Sequence, residues 1–165
     1  MSPPPEGPLY AASRTLLEGR LPGPDELQMK LVKEIRSQEG ALHFQRWEIL
    51  QVGDKTLYMH HLLRADEDRH CHDHPWDFRS LILKGGYEAM DPTGETKTFT
   101  PGSLYKMKAV GEYHRISRLL EPTWTLVLVS PRSHLWGYLT EDGWVSNERY
   151  RQLKRDGYWD RVALH

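Results

Sequence analysis

Cys71 is the only cysteine in the chain, so no internal disulfide can form. At 165 residues one domain can instead bury a core of adequate size. A lone cysteine fits a reducing compartment, and the expected location is cytoplasmic. No apolar run approaches the ~18 residues that signal a membrane span, and mean hydropathy is low at -0.68. The N-terminus, MSPPPEGPLY, lacks a basic region followed by an apolar stretch, so no signal peptide is expected. Net charge is only -1, which excludes the strong field of a nucleic-acid or anionic-membrane binder. The expected partner is therefore a small molecule, with no nucleic acid and no membrane.

Histidine and tryptophan are what the chain has in excess, with 9 and 6 copies. Five of the histidines, His60, His61, His70, His72 and His74, fall within 15 residues. Around them the sequence divides into three parts. Residues 1–40 read as a Pro-rich tail and a helical extension. A short helix is expected over 9–19, and a second over roughly 25–38, with Asp25 as N-cap and Leu27, Leu31 and Ile35 at i, i+4, i+8. Gly40 would end it. Residues 41–145 read as short strands separated by turn signals: 44–51, 56–63, 70–74, 78–84, 87–90, 96–99, 103–108, 113–118, 123–130 and 134–139. Such spacing suggests a sandwich or a barrel. Residues 146–165 read as a C-terminal helix, capped by Asn147 and running over 148–155, and a tail.

In His70-Cys71-His72-Asp73-His74, strand alternation sends the three histidines to one face and Cys71 and Asp73 to the other. Same-face neighbours lie about 6.5–7 Å apart, so imidazoles at i and i+2 can lean toward one ion at about 2.1 Å each. Pro75 ends the strand. The best third ligand is His114, placed after the Gly111 turn at the opening of a later strand. An intervening hairpin would bring that strand alongside. His70 is a further candidate, as is at most one of His60 and His61, which point to opposite faces.

These residues resemble the cupin superfamily. His72-Asp73-His74 supplies the HxH of its first motif and Gly85 its trailing glycine. Ala109-Val110-Gly111-Glu112-Tyr113-His114 matches PxGxxH of the second with alanine for proline. The metal-binding glutamate of the first motif is missing: Phe78 stands near its place and Asp77 just before it, so Asp77 is the candidate carboxylate ligand. The run His-Asp-His-Pro-Trp-Asp-Phe…Gly-Gly-Tyr also looks like small bacterial and phage cupins. The resemblance implies an all-β, cupin-type jelly-roll barrel with an N-terminal helical extension and a short C-terminal helix. It also implies one divalent metal on His72, His74 and His114, and a homodimer that covers the barrel edges.

Imidazoles alone do not name the metal. Three facial histidines leave positions open for O₂ and substrate, which resembles the thiol-dioxygenase type of cupin, so Fe(II) and an oxidoreductase of the dioxygenase or hydroxylase kind are expected first. Use of 2-oxoglutarate would need an arginine for its far carboxylate, with Arg79, Arg115, Arg118 and Arg132 available. The alternatives are a redox-neutral isomerase or lyase with His70 or Glu88 as base, and a non-catalytic metal- or small-molecule-binding protein. Trp76, Tyr87, Tyr113 and Arg79 are the expected substrate contacts, with Trp124 and Trp136 as further wall residues.

Overall fold

Burial alternates along the longest strands, which separates a closed inner face from an outer one. In the computed structural model, which describes residues 29–37 and 39–159, strand β5 (Phe78–Met90) buries Phe78, Ser80 and Ile82 and turns Arg79 and Leu81 outward. Its partner β8 (Arg115–Val129) buries Thr123, Thr125, Val127 and Val129 in the same rhythm. The other strands are β1 (Lys30–Arg36), β2 (Leu42–Val52), β3 (Lys55–Leu62), β4 (Cys71–His72), β6 (Thr96–Phe99), β7 (Leu104–Met107), β9 (Gly137–Thr140) and β10 (Gly143–Ser146). Helix α1 (Asn147–Arg155) follows, its first turn capped by the Ser146 hydroxyl rather than by Asn147.

All pairings are antiparallel. One sheet runs β1-β2-β3-β8-β5-β6, with β7 also on β5, and a smaller one runs β10-β9-β4. The two meet where His72 and His114 exchange backbone hydrogen bonds of 2.8 and 3.0 Å. The two sheets make a jelly-roll arrangement that is not closed by one continuous ladder. Phe78, Met107, Val127 and Val129 form one apolar cluster and Ile82, Tyr87 and Ala89 another. Tyr138, Tyr150 and Trp159 clamp α1 to the small sheet. Among the described residues no helix is long and apolar enough to cross a membrane.

Three local readings change. The Pro-rich tail, the 9–19 helix and the start of the 25–38 helix lie outside the described residues, and the remainder of the latter is strand β1. A four-residue apolar spacing suits one face of a strand as well as one face of a helix, because four is a multiple of two. Pairing with β2 decides between them, setting Ile35 opposite Phe44 and Lys33 opposite Arg46. Gly85-Gly86, in the break read between 78–84 and 87–90, and Glu121-Pro122, in the break read between 113–118 and 123–130, are not turns but bulges inside long continuous strands. Gly85 has φ +80°, and an added Cβ would stand 2.6 Å from the Pro122 carbonyl. Strand β10 was not expected at all.

Candidate metal centre

His72, His74 and His114 converge. Their ring centroids stand 4.9–5.0 Å apart in all three pairings, and one donor nitrogen from each lies within 4.8 Å of the others. The backbone bridge between β4 and the start of β8 sets the first and third side by side. Between His72 and His74, Asp73 turns the other way, as alternation requires. It is 2% exposed and accepts from Gly137 N at 2.6 Å, Trp144 Nε1 at 3.0 Å and His134 Nε2 at 3.3 Å. That anchor ties the histidine-bearing segment to β9 and β10.

The donors suit a cation. Burial, reinforced by the neighbouring rings, holds His74 and His114 well below the ordinary imidazole range, so both are neutral at pH 7. His74 Nε2 and His114 Nε2 are 2.8 Å apart, a contact that holds one N–H between two nitrogens. An ion would take the place of that proton, with His72, His74 and His114 each offering one nitrogen to it. The residues present therefore fit one divalent metal.

Other expected site residues fall elsewhere. The Asp77 carboxylate accepts from Ala109 N at 2.8 Å and caps the turn before His114; it does not reach the three imidazoles. His70 lies 2.8 Å from the Tyr150 hydroxyl and 2.9 Å from Glu141, inside the packing of α1, because β4 is only two residues long and alternation does not extend back to it. Cys71 faces away and donates to Met90 O at 3.4 Å. Arg79 is exposed on the outer face, Arg118 pairs with Glu88 at 3.5 Å, and Arg115 reaches toward the Asp68 and Arg69 carbonyls. Trp124 stacks on His61 at 4.0 Å, on the outer face.

A cavity of about 500 Å³ opens beside the imidazoles. Trp76, Tyr87 and Trp136 line it; Tyr113 and Arg79 do not. Burial raises Tyr87 and Tyr105 above the usual phenol range, so both keep their protons. The sequence reading missed Tyr105, whose hydroxyl lies 3.1 Å from His114 Nδ1. It also missed Arg46, with Nε donating to His60 Nε2 at 2.8 Å, and Asp68, which accepts from Lys154 at 2.6 Å and the Tyr138 hydroxyl at 2.7 Å. Period-two alternation from Phe44 would have put Arg46 on the inner face; nothing in the sequence flagged Tyr105.

No family model matches the chain, and no curated protein matches it. Solved structures do. The polyketide cyclase RemF from Streptomyces resistomycificus aligns with TM-score 0.55 at 15% identity, covering 82% of this chain and 92% of that one. A cupin-2 domain from Rhodospirillum rubrum aligns with TM-score 0.53 at 14% identity, covering 81% and 88%. At these identities the likeness speaks to the fold.

Proposed function

The chain is a cupin in fold, and on that premise we propose that it is a metal-dependent enzyme acting on a small molecule held in the cavity. The observation that carries this reading is the convergence of three imidazoles, two of them held neutral by burial, beside a cavity of substrate size. His72, His74 and His114 would hold the ion. Fe(II) is proposed first: when bound by three facial histidines it supplies dioxygenase or hydroxylase chemistry through its open positions. Around it, Trp76, Phe78 and Trp136 form apolar walls that exclude water. Tyr105 orients His114, and the protonated Tyr87 offers a hydrogen-bond donor to the cavity.

One observation favours a redox-neutral reading as second. None of the three converging residues is a carboxylate, so the ion's double charge stays uncancelled, which suits polarising a carbonyl or activating water in an isomerase or lyase. His70 and Glu88, being committed elsewhere, do not support a base role in it. A cytoplasmic location belongs to the proposal, supported by the unpaired Cys71. So does a homodimer, supported by Leu81 and Leu104, which are 37% and 54% exposed on the outer faces of β5 and β7.

The test is O₂ consumption by metal-free protein reloaded anaerobically with Fe(II) or with Zn(II) and offered a panel of small acids, sugars and thiols. Substrate-dependent O₂ uptake with iron alone is expected. Turnover with zinc and without O₂ would establish the second reading, and turnover with neither would leave a binding protein.

A further inference from the structure

A row of polar residues crosses the inner face of the large sheet. Lys33 on β1 stands directly opposite Arg46 on β2, Arg46 opposite His60 on β3, and His60 opposite Thr125 on β8. Two like charges facing across a strand pair are destabilising. Arg46 is held among rings that attract its charge but supply no counter-ion: its guanidinium carbon lies 5.1 Å from the Tyr58 centroid, 5.2 Å from Trp76 and 5.6 Å from Phe44. Burial lowers the Arg46 guanidinium to about 10, and burial together with Arg46 and Arg151 lowers Lys33 to about 8.

Among the described residues nothing neutralises this cluster. Asp68 is committed to Lys154 and Tyr138 and Asp66 to Ile116 N at 2.7 Å, while Glu67, largely exposed, points toward His43 at 3.3 Å. No described carboxylate pairs with Lys33, Arg46 or Arg151. Among the described residues Arg46 makes one hydrogen bond, through Nε to His60 Nε2, which fixes the plane of its guanidinium. Its two terminal nitrogens are left without an acceptor among the described residues, and Arg46 lines the cavity. A planar fork with free N–H groups matches the two oxygens of a carboxylate or phosphate. Trp76 joins this corner to the metal-site loop, since it packs on Arg46 and follows His74 by two residues.

We propose that Lys33 and Arg46 form an anion subsite, so that the cavity's ligand is a small molecule with an oxyanion head gripped by Arg46 and a body reaching toward His74. Its role as the substrate's anchor rests on the metal-enzyme reading; the subsite itself does not, and is tested without metal.

Chelator-treated protein is titrated by calorimetry at low salt with inorganic phosphate, with succinate and with uncharged succinamide. Saturable binding of phosphate or succinate is expected, and whichever binds more tightly identifies the head group; succinamide stays silent. Arg46→Gln weakens binding by about tenfold or more, Arg46→Lys by less, and Lys33→Gln, on the edge strand, by a few-fold. Arg79→Gln, on the outer face and away from the cavity, leaves it unchanged. Binding of neither oxyanion, equal binding by wild type and a folded Arg46→Gln, or loss in Arg79→Gln would overturn the proposal. Should Arg46→Gln not fold, an unaltered affinity in Lys33→Gln overturns it. Cobalt(II) titration of the same samples keeps the two readings apart: anion binding through Arg46 without cobalt binding ends the metal reading and keeps the subsite, and cobalt binding without anion binding does the reverse.

Discussion

The Tyr105 hydroxyl stands 3.1 Å from His114 Nδ1 while it donates toward the Met107 sulfur at 3.7 Å. An ion on Nε2 would leave the His114 proton on Nδ1, where the Tyr105 oxygen stands ready to accept its hydrogen bond. Metal-ligating histidines commonly have such an outer partner. Tyr105→Phe is expected to fold and to weaken cobalt(II) affinity by about tenfold or more. An unchanged affinity would mean that the hydroxyl plays no part in orienting the ring.

Asp73 carries the opposite duty, holding the histidine segment from behind. Asp73→Ala leaves the buried Gly137 N and the part-buried Trp144 Nε1 without their acceptor. Urea unfolding should show a loss of about 3 kcal/mol, with weaker metal binding besides. A loss under about 1 kcal/mol would remove Asp73 as the anchor.

Asp77→Ala separates a cap from a ligand. The carboxylate serves Ala109 N, so the variant should lose about 1 kcal/mol of stability and keep one metal per chain. Loss of the metal would return Asp77 to the ligand set.

Metal-free protein should be acid-sensitive in a defined window. His60, His74 and His114 are all held below the ordinary imidazole range, burial being the first cause in each. Below about pH 6.5 the unfolded chain binds protons at these positions and the folded chain does not. Stability is therefore greatest above that pH and is lost as the pH falls toward the folded values, at up to about 1.4 kcal/mol per pH unit for each histidine. Urea titrations at pH 7.5, 6 and 5 measure the slope, and His60→Gln should make it shallower. A flat profile would contradict the burial of these rings.

Much of the site was legible because strand alternation is a strong constraint: the HxH pair, its third partner after the Gly111 turn and the outward Cys71 follow from period two and one hairpin. The carboxylate was not legible, since Asp77 is decided by a backbone N–H thirty-two positions away, and His70 by aromatic rings on a helix eighty positions away. Strand β1 was hidden by a spacing common to both kinds of element, and the two long strands by Gly85-Gly86 and Glu121-Pro122, which bend a ladder without ending it. Arg46 escaped because its meaning lies across the sheet, opposite Lys33 and His60, where no local pattern reaches.

The most direct measurement is metal stoichiometry: untagged protein, stripped and then equilibrated with cobalt(II), analysed beside His72→Ala and His114→Ala of confirmed fold. One ion per wild-type chain, with a tetrahedral or five-coordinate visible spectrum, and none retained in either variant, is the predicted result. Full retention in both variants, or no binding by the wild type, would contradict a metal centre on His72, His74 and His114.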